Sequence, residues 1–207
     1  MPLTRSLPPV VHTARLLLRR QRPEDAPLIR DAIDASLAHL RASVAWAQAE
    51  PTPLAVLAQR LAGTASAFDD GHAWAFTILD AAGERALGGA GLEPAEPALT
   101  ALVGPHALET GYWLRADAMG LGYATEATAA LTELAFTRLG ARRVVVCHDP
   151  ANVASDGVPR RLGFRCLGPV PQAQLPGRLA ADGSVRATTT VWVLDSRGDH
   201  TRERTPL

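Results

Sequence analysis

The stretch from residue 108 to residue 147 constrains the fold of this chain more than any other. Residues 108–114 read as a strand, and a short loop then leads into Gly120-Leu121-Gly122. Residues 122–139 form the clearest helical pattern of the sequence, with Ala127, Leu131, Leu134 and Ala135 along one side. Four consecutive apolar residues follow within 143–147, the mark of a central strand covered on both faces. Strand, glycine turn, helix and buried strand make a β-α-β unit. A chain that contains one must build a sheet with helices packed against it.

The remaining segments fit around that unit. Residues 1–12 are proline-rich and read as a loose arm, and 15–21 as a first strand. Arg22-Pro23-Glu24-Asp25 is a good helix start, with proline near the first turn and two acids beside it. Leu28, Ile29, Ile33, Leu37, Leu40 and Val44 continue a helical pattern, with a break near 34–36, and Leu54, Leu57, Leu61 and Phe68 predict another helix. Strands are expected at 72–79 and, rich in glycine, at 85–92, then a proline-rich connection over 94–105. After the β-α-β unit come a short helix over 152–162 and strands at 164–170 and 186–194, joined by a polar loop. Residues 196–207 read as a flexible charged tail. The expectation is one mixed α/β domain spanning 13–195.

Composition removes several function classes. The 207 residues carry 21 acidic and 21 basic side chains, which argues against gripping a nucleic-acid backbone by bulk charge. Every basic residue is arginine. Without lysine there is no P-loop lysine, no Schiff base and no kinase-type ATP lysine. Cys147 and Cys166 make neither a disulfide framework nor a zinc cluster, and read as reduced core residues. No metal is expected. No stretch has the length of a signal peptide core or a membrane span, so a cytoplasmic protein without membrane attachment is expected.

At the glycine turn, the first amides of the helix have no intrahelical partner and the helix dipole adds positive charge. A pyrophosphate fits such a turn without lysine. The Rossmann pattern does not apply, because Gly120-Leu-Gly122-Tyr-Ala124-Thr125 lacks the third glycine. Taken with Asn152-Val-Ala-Ser155 and Leu162-Gly163-Phe164, these residues resemble the GNAT superfamily of coenzyme A-dependent N-acetyltransferases, in its RimJ/RimL branch. Met119-Gly-Leu-Gly122-Tyr-Ala124 fits the family's Q/R-x-x-G-x-G/A, except that Met119 replaces the polar residue. The Tyr123-Ala-Thr-Glu-Ala127 helix start and the opening Thr13-Ala-Arg-Leu-Leu-Leu-Arg19 are similar too.

That resemblance implies a mostly antiparallel sheet with one splayed parallel pair and helices on both faces. It implies acetyl-coenzyme A as cosubstrate, with pantetheine along Leu114, Arg115 and Ala116. The pyrophosphate would lie on Met119, Gly120, Leu121, Gly122, Tyr123, Ala124 and Thr125, and Asn152 would touch the coenzyme or order water. An amine, a protein N-terminus or a small molecule, would attack the thioester directly. Such amines, with pKa values near ~8 to ~10.4, are largely protonated at neutral pH, so a base is useful. Glu109, in Glu109-Thr-Gly-Tyr-Trp113, matches the position of the family's catalytic glutamate; His72 is the rival base. Ser155 matches the acid that protonates the departing thiolate, and it also suits a helix cap.

Glu126 is explained by the helix dipole alone, and His148 reads as structural. Of Tyr112 and Trp113, one should face the core and the other the acceptor. Leu40, Arg41 and Trp46, with the loops near 94–106 and 171–184, are expected around the acceptor, and Arg41 could select an acidic acceptor or acyl group. The alternatives are a non-catalytic coenzyme A-binding module and an enzyme preferring succinyl-coenzyme A. Relatives of this branch often dimerise, so a homodimer is an expectation.

Overall fold

In a computed structural model, the structure describes residues 6–196. Eight strands form a single sheet in the order β1-β2-β3-β4-β5-β6-β8-β7. The strands are β1 Val10–His12, β2 Leu16–Arg20, β3 Trp74–Asp80, β4 Ala86–Pro94, β5 Ala107–Leu114, β6 Arg143–His148, β7 Arg165–Pro171 and β8 Thr188–Asp195. Every neighbouring pair is antiparallel except β5 and β6. The helices are α1 Ala26–Asp34, α2 Leu37–Arg41, α3 Leu54–Asp69, α4 Pro97–Val103, α5 Tyr123–Thr137 and α6 Gly157–Arg161.

Alternation along the strands sorts side chains onto two faces. Leu16 and Leu18 of β2, Trp74, Phe76 and Ile78 of β3, and Val144 and Val146 of β6 pack with Ala127, Leu131 and Ala135 of α5 in the main core. On the other face, Leu79 packs with Ala32 of α1, Trp113 packs with residues of α1, α2 and α3, and Val145 packs with Leu99 and Val103 of α4. The break expected near 34–36 is real. Ser36 caps the start of α2 and its hydroxyl accepts from the Ala116 amide at 2.8 Å, tying the α1–α2 corner to the end of β5.

Four expectations need correction. Residues 10–12 belong to no loose arm: they pair antiparallel with residues 17–19, and Leu7 is buried in the main core. The connection over 94–105 contains α4, whose Leu99 is fully buried, because Pro97 sits where a helix tolerates it. Cys166 is exposed and so is not the core residue expected, whereas Cys147, half-buried, packs against the second core cluster. His72 precedes β3 instead of lying on it and is exposed. The expected tail falls outside the described residues except for Ser196, whose amide donates to the Arg142 carbonyl at 2.8 Å.

Candidate active site

The site arises because β5 and β6 part company. Their parallel pairing covers only Ala107–Glu109 against Arg143–Val145. Beyond that point β5 remains bonded to β4 as far as Leu114, and β6 to β8 as far as His148. Each strand is held by its outer neighbour, so a V opens between them. Arg115 N–H donates to Leu87 on the β4 side at 2.7 Å. Strand alternation therefore turns the Leu114 and Tyr112 amides toward the gap, where no ladder partner meets them.

Two cavities meet in this V. The first, about 540 Å³, runs along Leu114, Met119, Gly120, Leu121, Gly122, Ala124 and Thr125. The second, about 570 Å³, lies over β4 and β5. Both are lined by Tyr112, Trp113, Asn152 and Ser155. The floor of the second is bare strand: Gly89, Gly91 and Gly111 present no side chain on the face that also carries Glu93 and Trp113. The glycine-rich pattern of β4 was legible in the sequence; that it hollows a cavity was not.

The glycine turn has the backbone its chemistry requires. Gly120 and Gly122 have φ of 73° and 83°, and no side chain caps α5. A Cβ placed on Gly120 would meet nothing within 4 Å, so the space before the first helix amides is open. Arg15 supplies charge beside the turn. Its guanidinium lies 4.8 Å from the Tyr123 ring centroid, and its Nη1 donates to the Leu121 carbonyl at 2.8 Å. Glu126 holds it there, accepting from the Arg15 amide at 2.8 Å, Arg15 Nε at 2.7 Å and Thr13 Oγ1 at 2.6 Å. Burial would raise the Glu126 carboxyl, but those hydrogen bonds outweigh it and its pKa falls. Glu126 thus does more than face a dipole. Arg161, on the wall of the first cavity, is a second cation that sequence reasoning passed over.

Not every expected residue reaches the cleft. Arg115 turns away to Asp31 and Asp117, and the amides of Arg115 and Ala116 are consumed by Leu87 and Ser36. His72 and Arg41 line neither cavity; Arg41 donates to the Ala47 and Glu50 carbonyls and braces the turn after α2. Leu40 and Trp46 do line the cleft, and the Trp46 ring meets Trp113 edge-on at 5.7 Å. Tyr112 and Trp113 alternate across the strand as expected, Tyr112 packing against the main core and Trp113 against the clusters of the other face, and both also edge the cleft.

Ser155 and Asn152 stand at the junction of the cavities. The Ser155 carbonyl accepts from the Tyr112 hydroxyl at 3.2 Å, and its amide donates to Asn152 at 3.1 Å. The Ser155 side chain also hydrogen-bonds the Tyr112 hydroxyl. Burial pushes the Tyr112 phenol far above its usual range, keeping it a neutral donor. His148 lines the second cavity; its Nε2 lies 3.1 Å from Trp192 Nε1 and 3.0 Å from Asp156 Oδ1, and its Nδ1 2.8 Å from the Asp149 carbonyl oxygen.

Glu109 sits at the crotch of the V but lines neither cavity. Both of its oxygens accept from Arg178, at 2.6 and 2.7 Å, and Arg178 also pairs with Glu96 at 2.8 Å. Burial alone would lower the Arg178 pKa, but the Glu109 carboxylate more than offsets it. Two carboxylates do line the second cavity, Asp149 beside Arg186 and, on the β4 side, Glu93, the cross-strand partner of Glu109. Glu93 is solvent-reached at the cavity rim. Even so, the low polarity around it and then the charge of Glu109 raise its pKa, with Arg178 a partial counterweight. Cys147 is pushed well above its usual range by burial and by Glu109, so it stays a thiol. Sequence could not reveal this group, because Arg178 lies 69 residues from Glu109 in a loop without pattern.

A split parallel pair, a glycine turn opening a helix and helices on both faces of a mixed sheet define an acyl-transfer architecture of the N-acetyltransferase class. Residues 15–165 match the family model of the acetyltransferase (GNAT) domain, and the chain belongs to that family. No curated protein sequence matches it. Its fold is shared with RimL, a ribosomal L7/L12 alpha-N-protein acetyltransferase solved with coenzyme A (21% identity, TM-score 0.75, 92% of this chain and 99% of that one). Mycobacterium smegmatis RimJ, solved with a coenzyme A disulfide, is similar at 21% identity and TM-score 0.71, over 89% and 84% of the two chains. So is the microcin C7 self-immunity acetyltransferase MccE, solved with acetyl-CoA and AMP, at 17% identity and TM-score 0.74, over 89% and 94%. Among the described residues no cluster of three or more His, Cys, Asp or Glu suits a metal, and no helix is long and apolar enough to cross a membrane.

Proposed function

We propose that this protein transfers an acetyl group from acetyl-coenzyme A to a primary amine by direct attack in a ternary complex. The observation that carries this reading is the meeting of two cavities at Tyr112, Asn152 and Ser155, one ending on an uncapped glycine turn. The turn fits a pyrophosphate: open space at Gly120, unpartnered first-turn amides and the Arg15 and Arg161 guanidiniums nearby. A coenzyme A complex and an acetyl-CoA complex of proteins sharing the fold support the same cosubstrate.

Bound acetyl-coenzyme A supplies an activated acyl carbon. Leu114 N–H, with Tyr112 N–H along the same edge, would donate to the thioester oxygen as negative charge develops there. The base is better assigned to Glu93 than to Glu109, whose two oxygens are occupied by Arg178, or to His72, which lies outside the cleft. Glu93 takes the ammonium proton through solvent in the second cavity. The amine nitrogen then bonds the acyl carbon, the C–S bond breaks, Ser155 Oγ gives its proton to the thiolate, and the second proton shed by the nitrogen passes through water to restore the Ser155 hydroxyl. Asn152 and the Tyr112 hydroxyl hold Ser155 in place. Arg115 and Ala116 leave the coenzyme set expected from sequence, and Arg161 and Arg15 enter it.

Thiol release from acetyl-coenzyme A, measured across a panel of amines and N-terminal peptides, tests the reading. Amine-dependent release should fall about a hundredfold in Ser155→Ala, the low end for an acid because a thiolate leaves readily. Coenzyme A binding without release for any amine would favour a non-catalytic module.

A further inference from the structure

The second cavity has opposite charges on its two sides. Glu93 stands on β4. Across β5 and β6, Arg186 lines the other wall, two residues before β8. Its side chain is only 15% exposed, yet among the described residues its guanidinium makes no hydrogen bond. The Nε is buried without a hydrogen bond, and its ion pair with Asp149 Oδ2 is long, at 3.5 Å. The other Asp149 oxygen accepts from the Ala151 amide at 2.9 Å. Arg178, whose carbonyl accepts from the Arg186 amide at 2.9 Å, shows the contrast: its guanidinium is held by Glu109 and Glu96. A cation taken from water without full compensation is costly, so its presence on a cavity wall calls for an anion that arrives with the ligand.

We infer that the amine acceptor carries a carboxylate, and that Arg186 binds this group while the amine faces Glu93. The inference rests on the acetyl-transfer reading and names its substrate class. The two charges orient the molecule in one sense only: ammonium toward the carboxylate side, carboxylate toward the guanidinium. An acidic acyl group is the other source of such an anion. Arg186 is absent from the first cavity and from the wall the cavities share, which places the anion on the acceptor. Arg41, the arginine singled out from sequence for this task, is spent on backbone carbonyls. Desolvation lowers the Arg186 pKa, in keeping with a group recessed from solvent, but arginine stays charged.

The test pairs each acidic amine with its neutral twin. Glycine, β-alanine, 4-aminobutyrate, aspartate and the peptide Asp-Ala-Ala are compared with their carboxamides as acceptors from acetyl-coenzyme A. Wild-type protein should favour the acids by roughly ten- to hundredfold in kcat/KM, carried by KM, as for one charge-assisted pair. Arg186→Gln should bring the members of each pair within a few fold. Arg186→Lys, which keeps the charge but not the fork, should retain part of the preference. Calorimetric binding of the same acids to coenzyme A-loaded protein gives a readout independent of turnover.

Turnover without preference for the acids, or a preference that survives in Arg186→Gln, overturns the inference and leaves acetyl transfer standing. Acids that bind in an Arg186-dependent way without turnover support the subsite and sink the acetyl-transfer reading. Neither binding nor turnover sinks both. Succinyl-coenzyme A run beside acetyl-coenzyme A closes the remaining route: an Arg186-dependent preference for succinyl transfer to neutral amines would move the anion to the acyl group and overturn the assignment.

Discussion

Two glycines in the same backbone state separate the phosphate turn from ordinary strain. Gly120 has φ of 73° and Gly140 has φ of 67°, and a Cβ on either would meet nothing within 4 Å. Alanine at each therefore incurs the left-handed backbone penalty alone, about 1 to 2 kcal/mol. For a chain of this size that is a drop in Tm of roughly 2 to 8 °C, and the two variants should match. They part in ligand affinity. Gly120 lines the first cavity, and Gly140 does not. If a pyrophosphate packs against the turn, a methyl group at 120 displaces at least one amide–phosphate hydrogen bond, about 1.5 to 3 kcal/mol. The Kd for coenzyme A should rise roughly 10- to 150-fold in Gly120→Ala and stay at the wild-type value in Gly140→Ala. Calorimetry for affinity and thermal melts without ligand for stability separate the effects. Equal coenzyme affinity in the two variants would refute the phosphate-turn reasoning.

Glu93→Gln should depress turnover most strongly below the amine pKa, with the defect shrinking at high pH. In Glu109→Gln, loss of a neighbouring negative charge should lower the Glu93 pKa, so the acid limb of the pH–rate profile moves to lower pH; a limb that moves upward would contradict the assignment. Gly111→Val should fill the second cavity without a clash, since a Cβ there meets nothing within 4 Å; the acceptor KM rises while coenzyme Kd holds. Glu50 is fully buried beneath the cleft helices, paired with Arg30 and Arg60 and accepting from the Thr52 amide at 2.8 Å. Glu50→Gln should cost about 2 to 3 kcal/mol in denaturant melts, below the usual figure for a broken buried pair because Arg60 is 41% exposed. Burial works against the Glu50 carboxylate, but its partners hold its pKa below 4.5. Its contribution is complete above 4.5 and is lost as pH falls through the folded-state pKa, so the gap between wild type and Glu50→Gln should narrow on acidification.

What the sequence determined by itself was local. The glycine turn, the α5 helix, the apolar β6 strand and the Asn152–Ser155 turn all lie within short windows whose periodicity or turn chemistry is written residue by residue. Their joint spacing also carried the family resemblance. What only the tertiary structure decided depends on contacts between distant segments. The edge strand Val10–His12 becomes legible once β2 is there to pair with it. Arg178 closing on Glu109, Arg15 on Glu126, and Arg41 on the Glu50 carbonyl bring together residues 69, 111 and 9 positions apart. An arginine in a sequence carries the same charge whether it ends on a carboxylate, on a carbonyl or on a cavity wall. Which of these it meets is set by strand register and by how far β5 and β6 diverge, and so the folded chain alone separated Glu93 from Glu109 and Arg186 from Arg41.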